Sequence, residues 1–111
     1  MVDKRLGGLA ATREVRKTER YDRWFRRLRD EQAKARITAR IFAIASDHLG
    51  DAKGVGDGVL EARIMGKGPG YRLYFILKGS ELVVLLAGGD KGSQRADISN
   101  AKLEAQALAL H

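Results

Sequence analysis

Residues 71–94 read YRLYFILKGSELVVLLAGGDKGSQ, and this stretch decides the fold. Tyr71, Leu73, Phe75 and Leu77 alternate with Arg72, Tyr74, Ile76 and Lys78, the two-residue period of a strand. Lys78-Gly79-Ser80-Glu81 is a turn by composition. Leu82 to Ala87 is apolar without a break, the pattern of a strand buried on both faces and therefore central. So short a connection makes the two strands antiparallel. The second strand runs into Gly88-Gly89-Asp90-Lys91-Gly92-Ser93. Glycine and aspartate end strands, but the same residues also bring a carboxylate and an amine to the rim of a rigid sheet.

Working upstream, Leu60, Ala62 and Ile64 alternate with Glu61, Arg63 and Met65, which predicts a third strand. The loop Gly66-Lys67-Gly68-Pro69-Gly70 joins it to Tyr71, giving an antiparallel meander. DAKGVGDG at 51–58 is rich in turn residues. Further back, Thr18 is placed to cap a helix, and Tyr21, Trp24, Phe25 and Leu28 fall on one helical face. Arg20, Arg23, Arg26, Arg27 and Arg29 lie largely off that stripe. Asp30 reads as a second cap, after which Ala33, Ile37, Ile41, Ile44, Ala45 and His48 keep helical spacing up to Gly50. His48 thus reads as a core or last-turn histidine. Residues 18–49 are predicted as a helical hairpin, 13–17 as a short edge strand, and the segment from Ser93 onward as a C-terminal helix. The expected fold is α+β: a small antiparallel sheet with the hairpin and the C-terminal helix packed on one face. Residues 1–12 are expected to be a flexible extension and 13–111 one domain.

The chain has no cysteine and two histidines, His48 and His111, so no thiolate or histidine-rich metal site is expected, and no cofactor. No apolar run approaches the ~20 residues of a membrane span, and the start lacks a signal-peptide core; a cytoplasmic protein is expected. The net charge is +7, and it is unevenly placed. Residues 12–40 hold eleven Lys/Arg against five Asp/Glu, while 41–111 hold eight of each. A basic excess confined to one segment points to a polyanionic partner.

If the helices cover the Leu60/Ala62/Ile64 and Tyr71/Leu73/Phe75/Leu77 face, then Glu61, Arg63, Arg72 and Tyr74 share the other. Two arginines and a tyrosine on adjacent strands, rimmed by Lys67 and by Asp90-Lys91, form a set suited to phosphate and to a stacked base. Each member also has an ordinary reading. Glu61 with either arginine makes a surface ion pair, Gly68-Pro69-Gly70 a hairpin turn, Asp90-Lys91 a strand terminator, and the basic helical face a solubility device.

From about Val15 onward the chain resembles the RelE/ParE superfamily of bacterial toxins, in particular the HigB-like addiction module killer proteins. The resemblance is carried by VRKTERYDRWFRRLRD at 15–30, LEARI at 60–64, GPGYRLYF at 68–75 and LVVLLAGGDKGSQRADI at 82–98. It implies a toxin of a type II toxin–antitoxin module. The implied partners are a cognate antitoxin, often a helix-turn-helix protein encoded adjacently, and the ribosome with its mRNA, but no membrane. It implies metal-independent mRNA cleavage on the ribosome, with Arg63, Arg72 and Lys91 carried over as functional and Tyr74 more weakly.

Such cleavage needs only the RNA's own 2′-hydroxyl as nucleophile. The protein must align the groups, stabilise charge on the phosphate and manage two protons. Arg63 and Arg72 are the candidates to hold phosphate; Lys91, with Asp90 or Tyr74, to handle protons. Lys67, Arg23, Arg26 and Arg27 are the candidates to add RNA affinity. The same sequence is compatible with two other activities: inhibition of DNA gyrase in the manner of ParE, and non-enzymatic binding of RNA or an acidic protein.

Overall fold

A computed structural model describes residues 12–109, except Lys67 and Pro69. The expectations for residues 1–11 and for Lys67 therefore lie outside the described residues. The elements in chain order are β1 (Glu14–Lys17), α1 (Glu19–Arg27), α2 (Glu31–Ala45), β2 (Ala52–Gly56), β3 (Val59–Ile64), β4 (Tyr71–Lys78), β5 (Leu82–Asp90) and, after a 3-10 turn over Lys91–Ser93, α3 (Gln94–Ala109). The five strands form one sheet in the order β1-β5-β4-β3-β2, with β1 parallel to β5 and the other pairs antiparallel. The α+β class read from the sequence is the one observed. Among the described residues no helix is long and apolar enough to cross a membrane.

Local chemistry sets the element boundaries. Thr18 Oγ1 accepts from the amide of Tyr21 at 3.1 Å and lies 3.0 Å from the carbonyl oxygens of Leu85 and Leu86, to which it donates. The cap that starts α1 thus also ties it to β5. Asp30 Oδ1 accepts from the amide of Ala33 at 3.0 Å and starts α2. That helix stops one turn before Gly50. Asp47 takes the left-handed conformation with φ 70, its amide donates to Ile44, and the amide of His48 donates to Ala43. These are the two bonds of a helix-ending Schellman turn, with aspartate where glycine is usual. His48 accordingly lies past the helix and is exposed, which corrects its reading as a core histidine.

Two further differences concern the sheet. The turn-rich segment contains a strand: β2 pairs with β3 through the two-residue loop Asp57-Gly58, whose φ values of 57 and 80 fit an Asp-Gly hairpin turn. The C-terminal helix lies on the face opposite the hairpin. Ile37, Ile41 and Ile44 of α2 and Tyr21 of α1 pack with Ala62, Leu73, Phe75, Val83 and Leu85. Ala101, Ile98, Ala105 and Leu108 of α3 pack with Val59, Tyr74, Val84, Leu86 and Ala87. The physical reason is that β5 is apolar on both sides, so each side needs a layer. A bulge in β5, where Leu85 pairs with Phe75 but Ala87 with Tyr74, adds Leu86 to the α3 side. Each large side chain fully buried in these layers stabilises the fold by roughly 1.5–3 kcal/mol.

Candidate functional site

Because α3 covers part of the second face, the set Glu61, Arg63, Arg72 and Tyr74 is divided between interior and surface. The register places Glu61 opposite Tyr74 and Arg63 opposite Arg72 on β3 and β4, and Arg72 opposite Gly89 on β5. Glu61 and Tyr74 are completely buried, not open to solvent as the sequence reading had them. The Tyr74 hydroxyl donates to Glu61 Oε2 at 2.8 Å, and Gln94 Nε2, on the first residue of α3, donates to the same oxygen at 2.8 Å. Arg72 Nε stands 3.7 Å from that oxygen, with 11% of the arginine side chain exposed. Glu61 Oε1 and Arg72 Nε have no hydrogen-bond partner among the described residues. Burial first, then the bond to Glu61 and its charge, push the Tyr74 hydroxyl well above its ordinary titration range. At neutral pH it is therefore a fixed donor, and it is closed off from solvent.

Arg63, next along β3, is exposed. Its Nε donates to Asp51 Oδ2 at 3.0 Å, and its carbonyl accepts from Arg40 Nη1 at 2.8 Å. The surface ion pair read for Arg63 with Glu61 thus forms with Asp51 instead, a residue that only the β2–β3 pairing brings near. Arg63, Arg72 and Gly89 make one row across three strands, with Arg63 at the open end.

The Gly-Gly-Asp-Lys-Gly-Ser stretch ends β5 and starts the turn that leads into α3. A Cβ on Gly88 would overlap the ring carbons of Trp24, and one on Gly89 would overlap Asp97 Oδ2. Only glycine lets α1 and α3 close on β5 from its two sides. Asp90 Oδ1 accepts from the amide of Ser93 at 3.1 Å, and Ser93 Oγ accepts from the amide of Asp90 at 3.3 Å, so the aspartate caps the turn that follows. Lys91, inside that turn, is exposed. Ser93 Oγ also donates to Asp97. Burial raises the Asp97 carboxyl pKa, and the Asp90 charge adds to it, while the Ser93 bond and Arg20 act against them.

Arg23, Arg26 and Arg27 are exposed on α1, the helix over the other face, so they do not join the Arg63–Arg72 row. Arg23 Nη1 donates to Glu19 Oε1 at 2.8 Å, one helical turn away. Asp97, which the sequence marks only as suited to an early turn of the C-terminal helix, and Gln94 come to the site once α3 is placed on the Tyr74 side. Among the described residues no group of three or more His, Cys, Asp or Glu side chains is arranged to hold a metal ion.

Comparison with known proteins places this chain. A chain of the solved toxin-antitoxin complex RelBE2 from Mycobacterium tuberculosis shares its fold, with a TM-score of 0.57 at 21% identity over 72% of this chain and 99% of that one. A Haemophilus influenzae protein described as uncharacterized is 44% identical over 99 residues, 89% of this chain and 99% of its own length. The family of phage derived proteins that are Gp49-like (DUF891) matches residues 23–108, and the chain belongs to that family.

Proposed function

We propose that the protein is the toxin of a type II toxin–antitoxin module, of HigB-like character, that cleaves mRNA on the ribosome in the cytoplasm. The reading is carried by one observation: two arginines directly opposite each other, Arg63 and Arg72, in a row that ends at Gly89, two residues before the exposed Lys91. The fold it shares with a chain of a toxin–antitoxin complex supports the same reading. Arg63 and Arg72 hold the scissile phosphate, and Lys91 stabilises the developing charge or moves a proton. Asp90 holds the Lys91 turn. Tyr74 acts through Glu61, against which Arg72 sits, so its role is positioning. The row's own side chains are two guanidiniums, neither of them a general base, which fits an enzyme that relies on the ribosome to align its RNA. The partners are a cognate antitoxin, of the helix-turn-helix kind and encoded adjacently, and the ribosome with its mRNA.

The test is cleavage-site mapping of a reporter mRNA with the purified protein, with and without translating ribosomes. Arg72→Ala strips the partner from a buried carboxylate, and breaking a buried pair costs roughly 3–5 kcal/mol; loss of activity there would be ambiguous. Lys91→Ala and Arg63→Ala change exposed residues and are the informative variants. Cuts seen only with ribosomes, and lost in both folded variants, are expected. Intact mRNA throughout would leave the second reading, a ParE-like gyrase inhibitor that binds without cutting, which the burial of Tyr74 favours.

A further inference from the structure

A cleft of about 180 Å³ lies between α1 and α3 at the end of β5, separate from the Arg63–Arg72 row. One wall is a single face of α1: Arg20, Arg23, Trp24 and Arg27. The floor includes Gly88, and Asp97 of α3 stands on the opposite side. β1 pairs with Leu82–Leu85, so among the described residues no strand covers β5 beyond Leu85 on that side. An open strand edge offers unpaired backbone groups, and Gly88 brings no side chain to cover them. Trp24 is fixed in the wall by Gly88 and by the rings of Tyr21 and Tyr71, 5.8 and 6.3 Å away.

The arginines retain capacity for a ligand. Arg20 pairs with Glu104 at 3.1 Å and Arg23 with Glu19 at 2.8 Å, but their side chains are 37% and 45% exposed. Pairs of that kind contribute about 0–1 kcal/mol and exchange partners readily. Arg27 is exposed and pairs with no carboxylate among the described residues. From Arg20 to Arg27 the row is ~10 Å long at helical rise. A single carboxylate needs one guanidinium; three in a row suit a chain of phosphates, and an indole beside them suits a base.

We infer that this cleft is a second nucleic-acid subsite, binding a phosphodiester of a single strand through Arg20, Arg23 and Arg27 with a base against Trp24. It deepens the proposed function by giving RNA a second hold, beyond the Gly89 end of the row that would cut it. It does not depend on the protein cutting anything.

Trp24 is the chain's one tryptophan, so its emission reports on the cleft directly. The experiment titrates the full chain with a 2′-O-methyl oligouridylate, which binds without offering a nucleophile, and follows Trp24 emission alongside the anisotropy of labelled oligonucleotide. The inference expects a saturable emission change that tracks binding and weakens with salt. It expects Arg27→Ala and Arg23→Ala each to lower affinity about tenfold, as loss of a phosphate contact does. Lys53→Ala, an equal loss of charge on the distant strand β2, should leave affinity within about twofold. An equal response to single-stranded DNA supports the phosphodiester assignment. Binding without an emission change overturns it, as do equal losses in Lys53→Ala and Arg27→Ala. A response to polyglutamate or inorganic phosphate but not to the oligonucleotide also overturns it. Trp24 responding in a protein that leaves mRNA intact would remove the endonuclease reading and keep the cleft; cleavage with a silent Trp24 would do the reverse.

Discussion

Glu61 has no exposed surface, and three side chains from one strand and a helix converge on one of its oxygens: Tyr74 on β4, Gln94 on α3 and, more distantly, Arg72, also on β4. Buried carboxylates are costly unless bonded, so each partner counts more than its distance suggests. Tyr74→Phe removes one donor and keeps the ring. It is expected to lower stability by about 1–3 kcal/mol, the usual cost of leaving a buried acceptor short of a partner, read as the midpoint shift in urea unfolding. If Tyr74 only positions Arg72, the folded Tyr74→Phe variant keeps most of the cleavage; a stable variant with no cleavage would give the hydroxyl a chemical role instead. Asp97 supplies a pH test. Its carboxyl pKa is raised in the folded state, so the charged form is disfavoured there. The cost is fully present above the folded value and is relieved as pH falls through it towards the unfolded value. Asp97→Asn should therefore stabilise the protein at pH 7, with the advantage shrinking on acidification. A variant less stable than the parent at pH 7 would mean the bond from Ser93 outweighs the burial.

Thr18 shows how much one element depends on a single residue. It begins α1, and its hydroxyl also lies within bonding distance of two carbonyls of β5. Thr18→Ala should cost about 1–2 kcal/mol from the lost cap, and Trp24 emission should shift as α1 loosens over Gly88. Thr18→Ser should restore most of both. The elements whose boundaries depend on such local chemistry were legible in the sequence: the caps at Thr18 and Asp30, the Tyr21/Trp24/Phe25/Leu28 face, and the alternation through β3 and β4. Helix α2 was read too long because an aspartate rather than Gly50 adopts the left-handed turn, and Asp carries that signal weakly. Strand β2 was missed because Ala52–Gly56 has two glycines and little apolar pattern; it forms because β3 offers an edge and Asp57-Gly58 turns the chain back. The side taken by α3 was readable in part. A strand apolar on both faces, as Leu82–Ala87 is, demands cover on both, and Tyr74 and Ile76 alternate with Leu73 and Phe75. That demand, followed through, buries Tyr74 and Glu61 and leaves Arg63 and Lys91 outside. The bulge at Leu86 and the Gln94 contact depend on three-dimensional register that no local pattern encodes.

At the scale of the molecule, the basic excess and the Arg63–Arg72 row occupy different places. The charge of residues 12–40 is carried largely on α1 and α2, over one face of the sheet, whereas the row lies on the other with Lys91 nearby. Affinity for RNA and chemistry on RNA should then separate under mutation. Each phosphate contact made by a lysine or arginine contributes about 0.7–0.9 to the slope of log affinity against log salt. Replacing Arg23, Arg26 and Arg27 together by alanine should reduce that slope by roughly two, and weaken binding at all salt concentrations, since these side chains are exposed and their loss leaves the core untouched. Lys91→Ala should lower the slope by less than about one, yet remove cleavage even where binding is saturated. The measurement is ribosome or RNA binding across a salt series, with single-turnover cleavage at saturating protein. Should the triple variant keep its slope, the helices carry charge for solubility and RNA engages the sheet alone. Should Lys91→Ala cut normally once saturated, the exposed amine beside Gly89 serves affinity, and the chemistry must be sought in Arg63 and Arg72 themselves.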